Sequence, residues 1–208
     1  MKELHTDWLK LGRKYSDDEQ YIESVWKEVK RKYTGKKRHY HNLNHIYHML
    51  RQAKECEAEV DDAEVVSFAI WFHDIIYKSS KKDNEEKSAE FARRTLENTE
   101  LEKERVDKVY DLILSTKKHE IINPSIDNDF LLDFDLSILG QPWNVYEEYI
   151  QNIRKEYSIY PSFLYNPGRK KVLESFLRRE VLYFTEKYRV LYEDQARKNL
   201  EKEIKMLS

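Results

Sequence analysis

The stretch Ala63-Glu-Val-Val-Ser-Phe-Ala-Ile-Trp-Phe-His-Asp-Ile-Ile-Tyr77 decides the fold. It is apolar on nearly every helical face, so it reads as a central helix that other helices enclose. Upstream, Ile22, Val25, Trp26, Val29 and Tyr33 have the spacing of a helix with one buried stripe, opened by the capping-box pair Ser16 and Glu19 and closed by Gly35. A polar, basic connector over 34–42 follows, with His41 at the mouth of the next stripe, Leu43, Ile46, Tyr47, Leu50 and Ala53, which Asn42 caps. Downstream, amphipathic spacing predicts helices over 85–97, 102–116, 129–139, 143–158, 168–184 and 190–206. No stretch alternates with period two, and Glu120-Ile-Ile-Asn123 is too short to found a sheet. The expected class is all-α, a helical bundle in one domain over 1–208.

The composition narrows the chemistry. The chain has 208 residues, of which 40% are hydrophobic and 37% charged, with a net charge of −2. That is the make-up of a well-solvated globular protein, and a protein that coats a nucleic-acid polymer is not expected. The four glycines, Gly12, Gly35, Gly140 and Gly168, each stand alone, which excludes a glycine-rich phosphate loop or a dinucleotide turn. Cys56 is the single cysteine, so there is no internal disulfide and no four-thiolate zinc site. The longest apolar run, Phe68–Phe72, is far too short to span a bilayer and residues 1–14 are polar, so no membrane partner and a cytoplasmic location are expected.

Three clusters could carry chemistry. Four of the seven histidines fall in Arg38-His-Tyr-His-Asn-Leu-Asn-His-Ile-Tyr-His48, where His41 and His45 share a helical face, as do Asn44 and His48. A histidine-rich surface explains this as well as a metal site does. The pair His73-Asp74 interrupts the apolar core stretch, and a buried carboxylate there needs a cation or good hydrogen bonds. A salt bridge would serve, and so would a metal shared with the adjacent imidazole. Asp133 and Asp135 interrupt a third apolar stretch, Leu131–Gly140. Two residues apart on a helix is about 200° of rotation, so at most one of them faces a shared interior site, and a cap or a surface charge accounts for the other.

The order His, then His-Asp on a buried segment, then Asp near a third helix resembles the HD superfamily of metal-dependent phosphohydrolases. Its closest likeness is to a group of bacterial proteins described as predicted phosphohydrolases of that superfamily. Tyr40-His-Asn-Leu-Asn-His45 is similar to a segment of cyclic-nucleotide phosphodiesterases, distant members, and Phe134-Asp-Leu-Ser137 to their Ala-Asp-Leu-Ser. The resemblance covers about residues 38–140, with residues 141–208 as additional C-terminal helices. It implies His45, His73, Asp74 and Asp135 as ligands of one divalent ion, and it prefers Asp135 to Asp133 and His45 to His41. Two imidazoles and two carboxylates suit Mn, Fe, Co or Ni, with Mg or Zn also compatible.

An ion of that kind acidifies bound water and polarises a phosphoryl oxygen. The implied activity is therefore phosphoester hydrolysis of a small phosphorylated molecule, a nucleotide by preference. Asp74 would orient or deprotonate the water, His41 would protonate the leaving oxygen, and His119 would act on the substrate side. Arg38, Lys117, Lys118 and Arg169 belong to basic clusters that could meet the phosphate, although a solvated face is the more ordinary account of any one of them. Asn84, Glu85 and Glu86 are implied as supports behind the ligands, although helix-start polarity explains them too. The 15 tyrosines could stack a nucleobase, but Tyr146, Tyr149, Tyr157 and Tyr160 have helical spacings that suit packing. A homodimer is compatible with all this. The competing readings are a non-catalytic, metal-stabilised module that binds a nucleotide or a protein, and a metal-free helical scaffold in which Asp74 is salt-bridged.

Overall fold

The computed structural model describes residues 2–207, of which 68% are helical, with no strand among them. The order is α1 (Lys2–Gly12), α2 (Glu19–Tyr33), α3 (Leu43–Glu55), α4 (Ala63–Phe72), α5 (Asn84–Leu96), α6 (Lys103–Ser115), α7 (Ile126–Leu136), a 3-10 turn (Ser137–Gly140), α8 (Trp143–Glu156), α9 (Ser162–Leu177) and α10 (Glu186–Met206). The all-α class read from the sequence is what forms. The chain gathers into two compact units, one up to Leu131 and one from Leu132 on, and the division falls inside the continuous helix α7.

In the first unit α4 is the core element, with Val65, Val66, Phe68, Ala69, Ile70, Trp71 and Phe72 all buried. The rings of Phe68, Trp71 and Phe72 each meet Trp8 of α1 edge-on, and Trp26 of α2 meets Trp71 at 6.1 Å. Helix α1 is absent from the sequence reading, which took residues 1–14 as merely polar. Its buried stripe is only Leu4, Trp8 and Leu11, too thin a signal among charged neighbours. The cap of α2 is Asp18, whose carboxylate accepts from Tyr21 N at 2.9 Å, while Ser16 supports Asp18 N one step earlier. Asn42 caps α3 as expected, accepting from Asn44 N at 2.8 Å.

The core helix is shorter than its apolar run. It was expected to reach Tyr77, but α4 ends at Phe72 and His73-Asp74 lie in the turn that follows. The cause is competition for backbone donors. Ile76 N donates to Ser88 Oγ at 3.0 Å and Lys78 N to Asn84 Oδ1 at 3.0 Å, so neither closes the next helical turn.

In the second unit the 3-10 turn rests against α10. A Cβ on Gly140 would lie 2.4 Å from Tyr192 Cβ and 2.8 Å from the Tyr192 carbonyl oxygen, so the glycine permits a backbone approach that no larger residue could. Asn199 Nδ2 donates to the carbonyls of Leu139 and Gln141, both at 2.8 Å. Helix α9 corrects the helix expected over 168–184: it starts at Ser162 and runs through Asn166-Pro167-Gly168. Pro161 sets the start, its carbonyl taking the amides of Leu164 and Tyr165 at 3.0 Å. Buried Tyr165 and Leu173 then anchor the helix on both sides of Pro167, which offsets the one hydrogen bond that proline removes.

Candidate metal centre

The site is built where the end of α4 meets the start of α3. Because α4 stops at Phe72, the His73 ring can turn back on its own helix, with Nδ1 2.9 Å from the Ile70 carbonyl. A carbonyl only accepts, so Nδ1 carries the proton and Nε2 presents a lone pair in the neutral ring. That Nε2 lies 3.2 Å from Nε2 of His45 and 3.3 Å from Oδ2 of Asp74. His45, His73 and Asp74 are all buried. Asp135 lies in the last turn of α7, in the second unit.

The donor set fits a divalent ion. Metal–nitrogen bonds of about 2.1 Å to two atoms 3.2 Å apart subtend roughly 100° at the ion, between octahedral and tetrahedral values. Electron-rich atoms this close repel unless a positive charge lies among them. A single proton can serve one pair of them at a time, whereas a divalent cation serves the two imidazoles and the Asp74 carboxylate together.

The remaining candidates take different positions. His41 stands just before α3, its Nε2 3.9 Å from Asp74 Oδ2 and its ring 4.3 Å from that of Tyr77. Arg38 engages main chain: Nη1 donates to the carbonyls of His41 at 3.0 Å and Asp74 at 2.7 Å, and Nη2 to that of Ile75 at 3.0 Å. Asn84 is buried and holds the loop after Asp74 by a second bond, Nδ2 to Lys78 O at 3.1 Å. Burial pushes the Glu85 carboxyl up, against a backbone hydrogen bond, and the negative charge of Asp74 adds to the rise. Glu86 is ion-paired with Lys117. Lys118 and His119 lie in the turn after α6, where His119 has φ of 49°, an uncommon left-handed backbone for a residue with a side chain.

In the second unit Arg169 forms a two-point ion pair with buried Glu203, at 2.7 and 3.0 Å, and also donates to Tyr149 Oη. Tyr146 donates to the same carboxylate. Two of the tyrosines read as packing residues, Tyr146 and Tyr149, thus surround a buried ion pair. Asp133 is fully buried and holds the N-cap of α10, Thr185, accepting from Phe184 N at 2.7 Å, Thr185 N at 2.8 Å and Thr185 Oγ1 at 2.6 Å. It is thus neither a helix cap nor a surface charge, but the acceptor that holds the cap residue in place. Ser88 was not singled out from the sequence, and Tyr33 and Tyr77 were read only as positions of apolar helical stretches, because a serine or tyrosine in such a stretch carries no signal of the carbonyl or ring it will meet.

No family model, curated protein or solved structure matches the chain.

Proposed function

We propose that this chain is a metal-dependent phosphohydrolase that cleaves a phosphoester of a small molecule, with a nucleotide as the preferred class. The observation that carries the reading is the convergence of His45 Nε2 and Asp74 Oδ2 on His73 Nε2, at 3.2 and 3.3 Å. His45, His73 and Asp74 would hold one divalent ion, with Mn, Fe, Co or Ni favoured, and the HD resemblance implies Asp135 as a further ligand. When bound, such an ion supplies hydroxide near neutral pH and polarises the phosphoryl oxygen. Asp74 orients the attacking water and takes its proton. His41, 3.9 Å from that carboxylate, is close enough to share the reacting space and gives a proton to the departing oxygen. The resemblance to the HD superfamily points the same way, since it assigns these roles to the same positions.

The test is metal analysis of protein purified without chelator, then hydrolysis of p-nitrophenyl phosphate and a nucleotide panel with added Mn²⁺ or Ni²⁺. The expected result is about one metal per chain and turnover that Asp74→Ala abolishes without unfolding. Full activity in Asp74→Ala refutes the proposal, and stoichiometric metal with no hydrolysis across the panel replaces it with a non-catalytic metal-stabilised module.

A further inference from the structure

The connector ahead of α3 turns at Gly35, with Arg38 N donating to Gly35 O at 2.9 Å, and delivers the Arg38 side chain to the end of α4. There the guanidinium bridges two segments that are far apart in sequence. Both hydrogens of Nη1 are engaged, one by the His41 carbonyl and one by the Asp74 carbonyl, and Nη2 reaches Ile75 O. Its carbon lies 5.0 Å from the Tyr33 ring centre and 5.3 Å from that of Tyr77. Tyr33 donates its hydroxyl to Trp71 O at 3.1 Å, and the Tyr77 ring packs on the His41 imidazole. The Trp71 carbonyl of α4 and the Asp74 and Ile75 carbonyls of the turn after it are thus taken by Tyr33 and Arg38, and a cation is favoured at the negative end of a helix.

We propose that Arg38 is a positioning residue: it locks His41 and Asp74 to each other through their backbone carbonyls, in place of the phosphate contact that its basic neighbourhood suggests. The inference rests on the metal-dependent reading above and extends it. A guanidinium is a rigid fork whose N–H groups can meet several carbonyls at once, and an ammonium on a flexible stem cannot reproduce that. The two segments it joins carry the group nearest the departing oxygen and the group nearest the water. A displacement of either by about an ångström is enough to cost much of the rate. Charge and geometry predict opposite outcomes. A positive charge beside a cation site repels the cation, so if charge were all that mattered, removing Arg38 would tighten metal binding. A lost clamp loosens it.

The experiment is calorimetric titration of Mn²⁺ into chelator-stripped wild type, Arg38→Met, Arg38→Lys, Arg38→Ala and Val29→Ala, with a melting curve for each. Val29 is a fully buried α2 residue and controls for stability loss alone. The expected result is Mn²⁺ affinity weakened by about 10–100-fold in Arg38→Met, the range for losing a partner that orients ligands. Arg38→Lys should weaken it less, Val29→Ala should leave it unchanged, and millimolar guanidinium ion should restore part of it in Arg38→Ala. Wild-type or tighter affinity in Arg38→Met overturns the proposal, and if that variant does not fold, wild-type affinity in Arg38→Lys does so. A wild type that binds no Mn²⁺ removes the hydrolase reading and this inference together. Binding by the wild type that is indifferent to Arg38 removes this one alone.

Discussion

His73 shows how much one side chain can settle. Its Nδ1 is committed to the Ile70 carbonyl, and that leaves Nε2 for the site. His73→Ala is accordingly expected to abolish Mn²⁺ binding in calorimetry. His41→Asn tests a separate role. If His41 is the proton donor, hydrolysis should fall by about 10²–10⁴-fold while Mn²⁺ affinity stays at the wild-type value, and a parallel loss of both would assign His41 to the metal instead. The third position at this scale is Gly140. Its side-chain hydrogen points at the Tyr192 backbone, so Gly140→Ala must push α10 away, and the expected cost is about 1–3 kcal/mol in urea unfolding.

Helix ends are where the elements are tied. Asp133 satisfies two backbone amides and a hydroxyl at the start of α10. Asp133→Ala leaves buried donors without an acceptor, for which about 2–4 kcal/mol is expected, and hydrogen exchange should speed first at Phe184 and Thr185. Near the start of α4, Glu64 ties α4 to α6 and to the turn after α1 by accepting from Arg105, Lys14 and Tyr15. Burial pushes its carboxyl up, but these bonds win and hold it down at about 2. A carboxyl held lower in the folded chain than in the unfolded one stabilises the fold at pH values above its unfolded pKa. For Glu64 that contribution should disappear as pH falls from about 4.5 toward about 2. Glu64→Gln should therefore lower stability at pH 7 and flatten the acid limb of the melting temperature against pH.

For the molecule as a whole, a ligand that binds only the folded chain stabilises it by mass action. Mn²⁺ at about 100 times its dissociation constant is expected to add about 2.7 kcal/mol, raising the melting temperature by about 5–10 °C, and excess chelator should reverse the shift. No helix among the described residues is long and apolar enough to cross a membrane. The amino-acid order by itself determined the all-α class, the core stretch around Trp71, the cap at Asn42 and the residue types of the candidate site. Hydrophobic period and capping chemistry are local properties, readable over a few turns. It did not determine where α4 stops, because Asn84 and Ser88, which draw the backbone donors of Lys78 and Ile76 away from the helix, sit 6 and 12 residues on from those donors, past a loop whose course the hydrophobic period does not show. Nor did it determine that Asp133 would hold the cap residue of a helix about 50 residues later, or that the donors of Arg38 and Arg169 would go to carbonyls and to a buried carboxylate. A charged side chain looks the same in sequence whether it meets solvent, substrate or main chain, and only the folded chain brings the partner that decides.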